Sequence, residues 1–157
     1  TNQFDAGDYD AFFPSQPSST VVTLSNNDNC NRNTSTYVGY FFSSVSGYSK
    51  ISTYRGNGST DGSFVFTGFR PAWVMTKIID TMNENWTISD NKRSPINAVN
   101  LFLRPDESTQ DTSGAATMDF TANGFKLRNS DDKTNRNGAI FIYFAFAESP
   151  FKNSRAR

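Results

Sequence analysis

Histidine is absent from this 157-residue chain. Its absence excludes Ser-His-Asp and Cys-His nucleophilic arrangements and the usual zinc sites in one step. The lone cysteine, Cys30, cannot close an intrachain disulfide, so stability must come from packing or from assembly with other chains. It lies in the polar run NNDNCNRN and reads as a loop thiol, not a nucleophile. No apolar run approaches the roughly 18 to 20 residues that span a bilayer, and no basic-plus-apolar signal opens the chain, so no membrane partner is expected. Net charge is missing too: 15 basic and 15 acidic residues cancel. The long-range positive field on which phosphate-backbone binding relies is thereby removed, and nucleic acid is not an expected partner. The start at Thr1, without methionine, suggests a processed product or part of something longer.

What remains is aromatic. Hydrophobic residues make up 36% of the chain and aromatics 15%, with fifteen phenylalanines, so a few large rings must build the core. Such rings suit pleated surfaces better than helices, and the length fits one domain over 1–157. The stretch Tyr54 to Asp80 reads as turn, strand, turn, strand. Gly56, Asn57, Gly58, Asp61 and Gly62 tolerate the positive φ of a tight reversal. Phe64 to Thr67 are strand formers, Gly68 and Pro71 bend the chain, and Ala72 to Ile79 form a second strand, giving a hairpin or sheet corner. Further strands are expected over Thr20–Leu24, Thr36–Phe42, Trp86–Ser89, Val99–Leu103, Thr117–Phe120, Phe125–Leu127 and Ala139–Ala147. Asn123 and Gly124 give a strong hairpin signal between two of them. Met82 to Asn85 reads as a turn, and Pro105 to Gly114 as a mobile excursion. Residues 1–19 form an irregular arm that docks by the rings of Phe4, Tyr9, Phe12 and Phe13, and 51–152 form the main module.

The closing run AIFIYFAFA is apolar on both alternating faces. A strand wet on one side would alternate, so this one must be central, or covered by a second sheet or a neighbouring subunit. Phe141, Tyr143, Phe144 and Phe146 are therefore the candidate interface residues. About ten short strands with little or no helix indicate an all-β fold, an antiparallel β-sandwich of jelly-roll type.

One internal repeat supports this plan. Asn31, Arg32 and Asn33 recur as Asn135, Arg136 and Asn137, an offset of 104 residues. At the same offset Asp28 meets Asp132, Tyr37 meets Phe141, Val38 meets Ile142, Tyr40 meets Phe144 and Phe42 meets Phe146. A polar Asn-rich loop feeding an aromatic strand thus occurs twice. Residues 20–50 read as a partial repeat of 125–152, as though the chain began partway through an earlier copy.

The stretch YRGNGSTDGSFVFTGFRPAWVMTK, Tyr54 to Lys77, resembles a module of bacteriophage tail fibre and other virion appendage proteins. So do DNKR at Asp90 to Arg93, DFTANGFKLR at Asp119 to Arg128 and IYFAFAESPFK at Ile142 to Lys152. The segments from Pro17 (PSSTVVTLSNN) and Thr36 to Lys50 are similar to the strand pair that often precedes this module. The resemblance implies a non-enzymatic structural protein on the virion surface, in a tail fibre, spike or capsid appendage, with a role in host attachment. Its implied partners are other virion proteins and copies of itself, with a trimer by analogy. It brings no catalytic residue and no cofactor.

Glycoside hydrolysis needs two positioned carboxylates, one with a raised pKa, but Glu84 and Glu107 sit in or beside polar turns and Glu148 at a strand end. No catalysis is expected. Asp28, Asp61, Asp131 and Asp132 lie in loops whose oxygens suit calcium, but no calcium-loop spacing is present and turn chemistry explains them. No metal is assigned. Trp86, Tyr54 and Tyr48 are the candidate stacking residues for an alternative function, a carbohydrate-binding module or receptor-binding tip that recognises host surface glycans. Trp73 reads as core.

Overall fold

A computed structural model describes residues 18–80 and 84–150. The expected arm over 1–19, apart from its last two residues, part of the turn at Met82 and the end of the closing motif, Phe151 and Lys152, lie outside the described residues. Contacts divide the chain into two units, one formed by Asn2–Phe41 and the other by Phe42–Arg157 together with Thr1. Within the described part of the first unit, the only helix is a single turn, α1 (Asp28–Asn31). Thr20–Leu24 and Thr36–Phe42, expected as strands, carry no ladder. Their sequences have strand propensity, but propensity supplies no hydrogen-bonding neighbour.

The second unit is the antiparallel all-β fold that the aromatic runs imply. Its strands are β1 (Ser49–Arg55), β2 (Phe64–Phe66), β3 (Pro71–Ile78), β4 (Thr87–Asp90), β5 (Val99–Leu103), β6 (Thr112–Thr121), β7 (Gly124–Leu127) and β8 (Ile140–Ala147). They form one continuous sheet in the order β1-β8-β3-β4-β5-β6-β7-β2. The two packed layers of the expected sandwich are thus opposite sides of one rolled, nearly barrel-like sheet. Its ends approach each other: beside β2, Ser63 Oγ donates to the Arg55 carbonyl of β1 at 2.7 Å, and from β8, next to β1, the Tyr143 hydroxyl faces the Phe66 carbonyl at 3.5 Å. β2 and β3 are not neighbours, so Gly68 to Arg70 make a corner and not a hairpin. Strand β6 begins at Thr112, inside the segment expected to be a mobile excursion, because β5 pairs with it from Phe102.

Inside the roll, alternate residues meet. Tyr54, Val74, Ile78, Met118, Phe120, Phe125, Leu127, Phe141, Tyr143 and Ala145 belong to one core cluster. Tyr54 stacks flat on Phe141 with centroids 5.0 Å apart, and Phe125 meets the edges of Tyr54 and Tyr143 at 5.9 and 5.5 Å. Such aromatic pairs add about 0.5–1.5 kcal/mol each beyond the area they bury.

A second one-turn helix, α2 (Asp132–Asn135), precedes β8. Its residue Asn135 is fully buried and ties the Gly-Asn-Gly-Ser loop to the sheet. The side-chain oxygen accepts from the Asn57 amide at 2.9 Å, while Nδ2 donates to the carbonyls of Ser59 and Asn129 at 2.9 and 2.7 Å. Gly56 sits where a Cβ would collide with the Arg136 carbonyl, so close approach, not positive φ, explains this glycine; Gly58, at φ +64, is the residue that makes the left-handed turn.

Candidate functional site

Strand β8 lies between β1 and β3. Its inner residues Phe141, Tyr143 and Ala145 are buried in the core, and its outer residues Ile142, Phe144 and Phe146 are half-buried. The two-sided pattern therefore has two explanations, a core on one face and an aromatic cluster on the other. Phe141 and Tyr143 cannot serve as interface residues, since the sheet itself covers them; Phe144 and Phe146 lie on the outer face, half-buried.

Ring packing builds the outer cluster. Phe42 meets Phe144 and Phe146 edge-on at 5.2 and 6.2 Å, and Tyr48 meets Phe146 at 6.0 Å. Trp73 packs on Phe146 at 5.5 Å and Trp86 on Phe144 at 6.0 Å. The Lys77 ammonium lies 5.6 Å from the Trp86 centroid and donates to the Glu84 carbonyl at 2.6 Å, so a π face and a backbone dipole hold it in place. Trp86 and Tyr48, proposed from the sequence as stacking residues, thus share one face. Tyr54 does not: it is core, and its hydroxyl donates to the Thr134 carbonyl at 2.7 Å. Trp73, read as core, is half-buried on the outer face because its neighbours Val74 and Pro71 take the inward positions.

Strand register extends the face. Ile51 pairs with Phe144, Phe144 with Met75, Met75 with Ile88, and Ile88 with Leu103. Paired residues point to the same side of a sheet, so these five half-buried side chains form one apolar row across β1, β8, β3, β4 and β5. Sequence reading missed the row and Phe42, since only the pairing order places them together. Four arginines near the ends of these strands are paired with carboxylates. Arg70 pairs with Glu148 at 2.8 Å, Arg104 with Glu107 at 2.8 Å, Arg136 with Glu84 at 3.0 Å and Arg93 with Asp90.

Those pairs also describe what the carboxylates do. The three glutamates each bind an arginine, an arrangement suited to ionised, structural carboxylates. Hydrogen bonding by Arg104 holds Glu107 below the ordinary range. Burial acts to raise Asp90, but hydrogen bonds from Arg93 and Lys92 outweigh it and leave the group lowered. The aspartates weighed for calcium have other work. Asp28 and Asp132 pair with Arg32 and Arg136, Asp61 pairs with Lys126, and Asp131 caps α2 through the Lys133 amide at 2.9 Å. Among the described residues no three His, Cys, Asp or Glu side chains gather as a metal site.

Burial raises the phenol of Tyr54 far above its ordinary value and raises that of Tyr143 as well. The unfolded chain loses these protons near pH 10, whereas the folded chain keeps them. Stability from both groups is therefore intact below about pH 10 and is lost as pH rises beyond it. In an alkaline titration, the last tyrosinate absorbance at 295 nm is expected to appear together with loss of the circular dichroism signal. Full ionisation of all six tyrosines with the fold intact would contradict the burial.

No curated protein and no solved structure matches the chain. Residues 2–150 match the family described as a domain of unknown function, DUF7483, and the chain belongs to that family.

Proposed function

We propose that the chain is a non-enzymatic structural module of a phage virion, carried on the particle surface in a tail fibre, spike or capsid appendage, and assembled with its own copies and other virion proteins. The observation that carries this reading is the outer face: a five-strand apolar row beside six clustered rings, with the Lys77 ammonium held against the Trp86 ring. An apolar, ring-rich face gains by covering itself with another apolar surface, and large aromatic residues are the usual anchors of such contacts. The motif resemblance supplies the virion setting, and the fibre trimer is its analogy. An antibody against the folded chain should decorate purified particles at a fixed position in electron micrographs. Unlabelled particles, with the antigen recovered only from soluble fractions, would refute the setting.

A second reading is a receptor-binding tip for host surface glycans. Tyr48, 38% exposed, and the half-buried Trp86 favour it, because both sit on the outer cluster where a sugar ring could stack. A glycan array in which Tyr48→Ala and Trp86→Ala abolish the signal would support this reading; an array with no signal from the wild-type chain would remove it.

A further inference from the structure

Strands β1 and β2 end the strand order and share no ladder, so each presents an edge of main chain. On β2, the Leu127 amide donates to the Ser63 carbonyl at 3.1 Å and the Thr67 amide to the Asn123 carbonyl at 3.0 Å. Ser63, Val65 and Thr67 therefore turn their main chain to β7, while Phe64 and Phe66, between them, turn theirs to the open side. On β1, the Ala147 amide donates to the Tyr48 carbonyl and the Gly56 amide to the Ala139 carbonyl, both at 2.9 Å. The alternation set by these bonds points Ser49, Ile51, Thr53 and Arg55 away from β8.

Part of this edge is already closed. Val45 and Ser49 exchange main-chain hydrogen bonds at 3.0 and 2.9 Å, Ser44 Oγ bonds both main-chain groups of Ile51, and Ser63 Oγ takes the Arg55 carbonyl. The N–H and carbonyl of Thr53 and of Phe64, and the N–H of Arg55 and of Phe66, have no partner among the described residues, and all four residues are exposed. The seam is pinned at the Gly-Asn-Gly-Ser loop by Ser63 and Arg55 and opens beyond it, where the Tyr143 hydroxyl of β8 is what reaches the Phe66 carbonyl. Ser52, Tyr143 and Thr76 are partners in one inward-facing row. Tyr143 and Thr76 are buried, but Ser52 is exposed because no strand pairs with β1 on its other side.

The geometry points to this seam as a binding site for one extended peptide segment of a partner protein, added as a strand between β1 and β2. Unpaired N–H and C=O groups on both walls are matched by an extended backbone with donors and acceptors along both of its edges. The sheet edge of a second copy does not fit, since it would bring its own next strand to where β1 already lies. Every pairing from β1 round to β2 is antiparallel, which leaves the two end strands antiparallel to each other. The guest therefore runs parallel to one wall and antiparallel to the other. Its outward residues lie beside Thr53 and the rings of Phe64 and Phe66, 48% and 61% exposed, and its inward residues beside Ser52, Val65 and the Tyr143 hydroxyl. A sequence that alternates apolar residues outward with small or hydroxyl residues inward fits both sides. The site uses none of the rings of the outer cluster and does not depend on a virion setting.

The test uses the full chain and, as probe, an acetylated and amidated peptide of alternating valine and serine with lysines at its ends for solubility. In NMR spectra of the free chain, the amides of Thr53, Arg55, Phe64 and Phe66 should exchange with solvent quickly, unlike that of Val65 beside them, and should become protected as the peptide saturates. The same peptide with N-methyl groups on alternate residues keeps its side chains but loses the donors of one edge, and should bind at least about tenfold more weakly. Thr53→Pro should remove binding with the fold unchanged, since an edge position whose N–H faces away from its ladder accepts proline. Thr53→Ala, which keeps the main chain, should bind as the wild type does. Thr53 and Phe64 amides already protected in the free chain would overturn the inference, as would absence of binding, or binding that N-methylation or Thr53→Pro leaves unchanged.

Discussion

Replacement of Asn135 by alanine is expected to cost about 3–5 kcal/mol, the range in which a buried polar network is broken and its partners are left unpaired. The change strands the Asn57 amide and the carbonyls of Ser59 and Asn129, all of which now bond to one carboxamide. Asn135→Asp is the sharper probe. It keeps the acceptor facing the Asn57 amide but sets a second oxygen against the Asn57 Oδ1, Ser59 and Asn129 oxygens, so it should be at least as damaging. Urea unfolding measures both, as a lowered midpoint at unchanged slope. A loss under about 1 kcal/mol for either variant would mean that the loop holds without this residue.

The second large effect is expected at Gly124. A Cβ there would sit within the van der Waals shell of the Val65 carbonyl oxygen and 3.0 Å from Phe64 Cζ. Both obstacles belong to β2, and one is backbone that cannot rotate away. β2 is three residues long and pairs only with β7, so the cheapest relief is to detach it. Gly124→Ala should therefore cost about 2–4 kcal/mol, at or above the upper end of overpacking effects, and speed hydrogen exchange of the Phe64 to Thr67 amides. Gly114→Ala is the control. Its φ of +100 is unfavourable for alanine, but no atom waits within 4 Å, so about 1 kcal/mol is expected from strain alone. Equal losses at the two sites would show that the approach of β2 to β7 is not tight.

Local signals carried the fold a long way. The two-residue connection between β6 and β7 falls where Asn123-Gly124 announced it, although the glycine serves the approach of β2 and has no positive φ. The β8 run betrayed its position by being apolar on both faces, and β3, β4 and β5 appear close to the runs that marked them. Strand β1 was hidden because SKISTYR mixes lysine, serine and arginine into an edge strand, whose outer side asks for little apolar character. For the site, aromatic content pointed to the right strand but not to the right rings. Tyr54 was a stacking candidate, yet strand pairing puts it opposite Phe141 and directs it inward. The Ile51–Leu103 row and the Asn135 network join residues dozens of positions apart, and no local pattern encodes such meetings.

Sedimentation velocity on the wild-type chain and on Met75→Lys tests most directly whether the outer aromatic face is an assembly surface. Met75 is at the centre of the row, flanked by Phe144 and Ile88, where a lysine sets a charge among apolar side chains. The account predicts that the wild type sediments as a multiple of 17.5 kDa at micromolar concentration and that Met75→Lys, with unchanged circular dichroism, shifts toward the monomer at least tenfold in dissociation constant. A wild type that stays monomeric, or an oligomer that the lysine leaves intact, would contradict it.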